Sequence, residues 1–280
     1  MRTLTFGFLN LNTLPTGTAS PYDTIAAAAQ GGFDSVGLRV TGRRVEDAFP
    51  ELVGNNSQTT ALRRFAVESG MRVSSVAGYG FYPDIGLEHH ERVLETAAEL
   101  GCKLMLLNVY YHDQSAFVDA LAPLGECAAR YGVRIALEFM PFSGLRTIHD
   151  AEKAIDLAKC GNIGHVIDAL HLMRSGGTPS DVRRVDPTRI FLGQLCDAKR
   201  KPFQPSDDEL AAEARLYREY PGEGDAPLYD FLTALPKDLE IEVEVPRSDF
   251  GSMSLADRAR KTGDIFRQYM YEYDEHLAKC

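Results

Sequence analysis

The chain is 280 residues long, 44% hydrophobic and 25% charged, which is enough apolar material for one large core. Forty acidic against thirty basic side chains leave a net charge of −10, which argues against nucleic acid as the main partner. No stretch approaches the roughly 20 apolar residues of a membrane span, so a membrane partner is not expected either.

Short apolar runs alternate with helical patterns along the chain. TLTFGFLN (3–10) reads as a first strand, followed by a helix in PYDTIAAAAQGG. SVGLRV (35–40) reads as the second strand, then a helix over 58–70 with Leu62, Phe65 and Ala66 on one side. MRVSSVAG (71–78) and KLMLLNV (103–109) are the third and fourth strands, with helices predicted over 88–101 and 115–132. VRIALEF (133–139), IGHVIDA (163–169), IFLGQL (190–195) and LEIEVEV (239–245) complete eight. Gly70, Gly101, Gly132 and Gly161 stand just before strands, where glycine can close a helix in the left-handed conformation.

Strand–helix alternation implies parallel pairing through right-handed crossovers. Eight such units in about 250 residues fit a (β/α)8 TIM barrel, predicted here as one domain over 1–280. The rival is an open doubly wound sheet, but FGFLNLNTLPTG after the first strand lacks a glycine-rich phosphate loop. A long connection over 198–228 holds the helical segment SDDELAAEARLYREY and the turn YPGEGDAP. Loops of this kind shape the active face of a barrel. Phe266, Tyr269, Met270 and Tyr273 recur at helical spacing. Core packing explains them best, and a homodimer contact is the second reading. The N-terminal stretch lacks the pattern of a signal peptide, and the five cysteines form no CxxC pair. Both point to a cytoplasmic protein with free thiols.

The chemistry stands at the ends of the last four strands. Glu138, Asp168, Gln194 and Glu244 end strands five to eight, so a barrel would bring them to one arc of its mouth. Three carboxylates and an amide oxygen there repel one another without a cation, and a divalent ion satisfies their lone pairs. Any one of them alone reads better as a cap or salt-bridge partner; four at matching positions do not. Glu240, Glu242 and Glu244 share one side of the last strand by alternation. Glu244 is nearest the mouth, with Glu242 as the fallback. An all-oxygen set favours Mn2+ or Mg2+, with Co2+ or Zn2+ as alternatives.

At these residues the chain resembles the xylose isomerase-like TIM-barrel superfamily of sugar phosphate isomerases and epimerases. LEFMP, IDALHLM, GQLCDA, RLYREYPGEGDAPL and VEVP stand in that family's order. The resemblance implies one divalent metal held by Glu138, Asp168, Gln194 and Glu244. It also implies that Glu138 and Glu244 exchange protons on opposite faces of a sugar. Gln194, where many family epimerases carry His, resembles the dehydroshikimate dehydratase branch. The histidines do not match the cluster of the DNA-repair branch.

His171, three residues after Asp168, is the candidate acid or base, with an orienting role as the alternative. Arg218 and Arg39 are candidates for a substrate's oxygens, with loop salt bridges as the alternative. Asn108 and His112 follow or end the fourth strand and are expected to line the mouth. No role follows for Asp197 or Lys199. The first functional expectation is an isomerase or epimerase of a small keto-sugar or keto-polyol, acting through an enediolate. The second is a dehydratase working by β-elimination, and the third is a barrel that binds ligand without catalysis.

Overall fold

The computed structural model describes residues 2–6, 19–42, 52–111, 113–201, 205–251 and 253–279. Eight parallel strands close into a barrel in sequence order: β1 (Leu4–Phe6), β2 (Ser35–Leu38), β3 (Arg72–Phe81), β4 (Leu104–Val109), β5 (Arg134–Glu138), β6 (Ile163–Asp168), β7 (Ile190–Leu195) and β8 (Ile241–Val243). The ring is sealed by β1 against β8, with Leu4 opposite Ile241 and Phe6 opposite Val243. The expected first strand extends to residue 10, but residues 7–18 lie outside the described ones.

The helices are α1 (Pro21–Gln30), α2 (Asn56–Glu68), α3 (Leu87–Leu100), α4 (Gln114–Arg130), α5 (Ile148–Ala158), α6 (Ala169–Arg174), α7 (Pro179–Val182), α8 (Asp207–Leu216), α9 (Leu228–Ala234) and α10 (Leu255–Leu277). Side chains start several of them. Ser20 with Asp23, Thr147 with Asp150, and Ser206 with Glu209 form reciprocal caps that satisfy orphan amides. Gly70, Gly101 and Gly132 take positive φ at the ends of α2, α3 and α4, as expected. Gly161 does not. α5 ends earlier, and Lys159 takes the left-handed turn at φ 54°, its amide donating to the Ile155 carbonyl. The helix stop follows the last apolar turn at Ala158, not the nearest glycine.

The core has two layers. Ala77, Leu104, Leu106, Ala136, Val166, Phe191 and Leu192 fill the barrel interior, while a larger apolar shell lies between strands and helices. Phe266, Met270 and Tyr273 of α10 are buried in that shell, which supports packing as their main role. At the N-terminal end of the barrel Glu240 accepts from Thr5 and Ser35 and pairs with Arg72 at 2.8 Å. No helix among the described residues is long and apolar enough to cross a membrane.

Candidate active site

The strand registers set the site. Asn108 lies opposite Glu138, Asp168 opposite Gln194, and Gln194 opposite Glu242. The polar groups of Asn108, Glu138, Asp168 and Gln194, on β4 to β7, therefore converge at the C-terminal mouth. Asn108 Nδ2 donates to Glu138 Oε2. Asp168 ends β6 and also caps α6, its Oδ1 accepting from the His171 amide at 2.8 Å. That cap turns the His171 ring back over the mouth, with Nε2 3.6 Å from Glu138 Oε1. Glu138, Asp168 and His171 each offer a ligand atom within 4.8 Å of the others.

A guanidinium lies within this acidic arc. Arg218 Nη1 is 2.5 Å from Asp168 Oδ2, Nη2 is 3.3 Å from Glu244 Oε2, and Nε donates to the Ala214 carbonyl at 2.9 Å. The surrounding cleft opens to solvent. Arg39, Asn108, Glu138, Gln194, Arg215 and Glu244 line its polar side, and Leu106, Met140 and Phe142 its apolar side.

Burial dominates the electrostatics. It pushes Glu138 well above the usual carboxylate range, and the charges of Glu244 and Asp168 push it further. Burial also raises Glu244 to about 7, against the pull of Arg218. Burial works to raise Asp168 too, but Arg218 and His171 outweigh it and hold that carboxyl low. Burial takes the His171 imidazole down to about 4, so it is neutral at pH 7. A carboxyl raised by neighbouring carboxylates is where a cation gains most, because it removes the repulsion and takes the proton's place. Gln194 adds a matching signal: its Oε1 is buried and accepts no hydrogen bond from any described residue. Glu138, Asp168 and His171 fit a divalent site, and Gln194 and Glu244 line the same cleft outside that group of three.

Three carboxylates hold the described parts of the connection after β7. Asp197, buried after β7, accepts from the amides of Ala198, Gly222, Gly224 and Ala226 at 2.8 to 3.0 Å. Arg174 grips Glu213 of α8 with two bonds at 2.6 and 2.7 Å. Arg146 similarly holds Asp207.

The structure brings Glu138, Asp168, Gln194, Glu244, His171, Arg218, Arg39 and Asn108 to one cleft or its wall. Glu242 lies one layer below, fully buried in the barrel. His112 lies outside the described residues. Two features escaped sequence reasoning. His171 stands at ligand distance from two carboxylates, and Arg215, exposed on α8, lines the cleft. The DALH spacing carried a signal for the first, because an N-capping Asp holds the third residue of its helix close to itself through that residue's amide. Nothing in the sequence singled out Arg215.

A family model described as a xylose isomerase-like TIM barrel matches residues 25–269. An inosose isomerase of Bacillus licheniformis is 25% identical over 201 residues, 67% of this chain and 69% of that protein. A 3-dehydroshikimate dehydratase of Pseudomonas putida is 29% identical over 157 residues, 53% of this chain and 24% of that one. Among solved structures, an IolI protein with a bound zinc atom superposes with a TM-score of 0.79 at 20% identity, covering 97% of this chain and 99% of that one.

Proposed function

The chain belongs to the xylose isomerase-like TIM-barrel family, and from that premise we propose that it is a divalent-metal-dependent isomerase or epimerase of a small keto-sugar or keto-polyol. The observation that carries this reading is the approach of Glu138, Asp168 and His171 within 4.8 Å at the barrel mouth. Glu138, Asp168, Gln194 and Glu244 would hold the cation, Mn2+ or Mg2+ by donor chemistry. The zinc bound by the IolI protein keeps Zn2+ as an alternative, and Co2+ is a second by donor chemistry. A bound cation would supply positive charge to the oxygens of a carbonyl and its neighbouring hydroxyl.

The chain's own residues do the rest. One of Glu138 and Glu244 takes the proton from the carbon next to the carbonyl; the C–H electron pair becomes the new C=C bond, and the carbonyl π pair moves to its oxygen. The enediolate regains a proton at the same carbon on the opposite face, which inverts it, or at the neighbouring carbon, which isomerises it. Burial raises both carboxyls toward the basicity this task needs. Arg218 and Arg39 contribute positive charge beside the developing oxyanion. Asn108 orients Glu138 through its amide. Met140 and Phe142 exclude water from one side.

A second reading is a lyase, favoured by the place of His171. Its ring lies beside Glu138, and its buried Nδ1 has no hydrogen-bond partner among the described residues. In that reading the same carbanion expels a β-hydroxyl, and the proton that Glu138 took from the carbon passes through the neighbouring His171 to the leaving oxygen, which departs as water. Incubation with Mn2+ and candidate ketones, inososes among them, in D2O separates the two. Deuterium at the α-carbon with the rest of the substrate intact supports the isomerase; loss of water supports the lyase. No exchange and no product with any ketone would count against both.

A further inference from the structure

We propose that Glu242 is a positioning residue for Gln194, holding its side-chain amide so that Oε1 rather than Nε2 faces the cleft. The inference rests on the metal-site reading above and deepens it.

Alternation along β8 divides three glutamates among three levels of the barrel. Glu240 closes the N-terminal end with Thr5, Ser35 and Arg72. Glu244 lines the cleft at the other end. Glu242 lies between them, 0% exposed, and outside the lining of the cleft. A carboxylate inside a barrel is costly unless its oxygens are hydrogen-bonded, so its retention calls for a partner. Gln194 is its register partner on β7, and Gln194 Nε2 donates to Glu242 Oε2 at 3.0 Å.

The direction of the amide follows from chemistry. The bond itself sets the amide end that faces Glu242: Gln194 Nε2 donates and Glu242 Oε2 accepts. The oxygen must then face away, and Gln194 Oε1 is the buried acceptor that receives no bond from any described residue. A flipped amide would place two acceptors against each other below and present an N–H to a cation above. Glu242 thus makes an intrinsically two-faced ligand single-faced. A carboxylate that fixes the tautomer of a ligating histidine works by the same principle.

The neighbouring strand makes room for this arrangement. A Cβ at Gly37 of β2 would lie 3.0 Å from Glu242 Oε1 and 2.8 Å from Ser75 Oγ. The missing side chain is therefore the space beside which the carboxylate sits.

The test is a Mn2+ titration followed by electron paramagnetic resonance on wild type, E242Q, Q194A and the double variant. Melting without metal checks that each is folded. E242Q is expected to weaken Mn2+ about tenfold or more, and to change affinity less than about twofold in the Q194A background. Unchanged affinity in E242Q would overturn the inference. An equal loss in both backgrounds would also overturn it, since the lost charge would then act on the ion directly. If E242Q does not fold, Gly37→Ala, whose methyl crowds both Ser75 Oγ and Glu242 Oε1, reads the same coupling against Q194A. A wild-type chain that binds no Mn2+ overturns the metal-site reading and this inference with it; intact wild-type binding with no coupling overturns this inference alone.

Discussion

Arg218 Nη1 lies 2.5 Å from Asp168 Oδ2, in a pair that is almost completely buried. The same guanidinium reaches Glu244, so one cation already offsets part of the charge of the mouth. Breaking a buried pair leaves its partner uncompensated. Arg218→Met is expected to destabilise the metal-free protein by about 3 kcal/mol. It is also expected to enlarge the rise in melting temperature on adding Mn2+, because the ion then relieves a greater repulsion. Thermal melts with and without Mn2+ measure both, and an unchanged metal-free melt would remove the structural role given to this pair.

Glu244→Gln keeps the size of the side chain and removes its basicity. If Glu244 exchanges a proton with the substrate, kcat on a genuine ketone substrate should fall at least about 100-fold. A variant that turns over at the wild-type rate with metal bound would eliminate the two-glutamate mechanism.

Asp197 gathers four backbone amides of the connection after β7. Asp197→Ala orphans them and is expected to cost about 3 kcal/mol in denaturant unfolding. Gly224→Ala should act in the same direction, since a Cβ there would fall 2.1 Å from Asp197 Oδ1. If both variants unfold like wild type, the loop is held by something else.

His90 is buried, with ring nitrogens 3.4 Å from the carbonyls of Gly86 and Gly80, and burial, aided by His89, lowers it from 6.5 to about 4. The unfolded chain therefore takes up this proton first as pH falls. Its contribution to stability is intact above pH 6.5 and shrinks by about 3 kcal/mol as pH falls to about 4. In His90→Gln the pH dependence of unfolding should flatten by that amount over this window. An identical slope in wild type and variant would show that His90 does not carry it.

The barrel was legible because its units repeat one physical pattern, an apolar strand followed by an amphipathic helix and a glycine. Glu138, Asp168, Gln194 and Glu244 could be chosen because strand ends map directly onto the mouth of a barrel. Other features depend on partners far away in sequence. Asp197 binds amides 25 to 29 positions downstream, and Arg218 meets Asp168 across 50. No spacing rule announces either contact. Lys159 shows the local limit: which residue turns left-handed depends on where the last buried helical turn ends, and a glycine two positions later was the misleading cue.

The central claim is a metal held by the carboxylates of the mouth, and its most direct test is the metal content of the purified protein beside Glu138→Ala. The predicted result is about one equivalent of Mn2+, Mg2+ or a similar ion in wild type, lost in the variant. A folded wild-type protein that holds no metal, even after soaking in excess Mn2+, would contradict it.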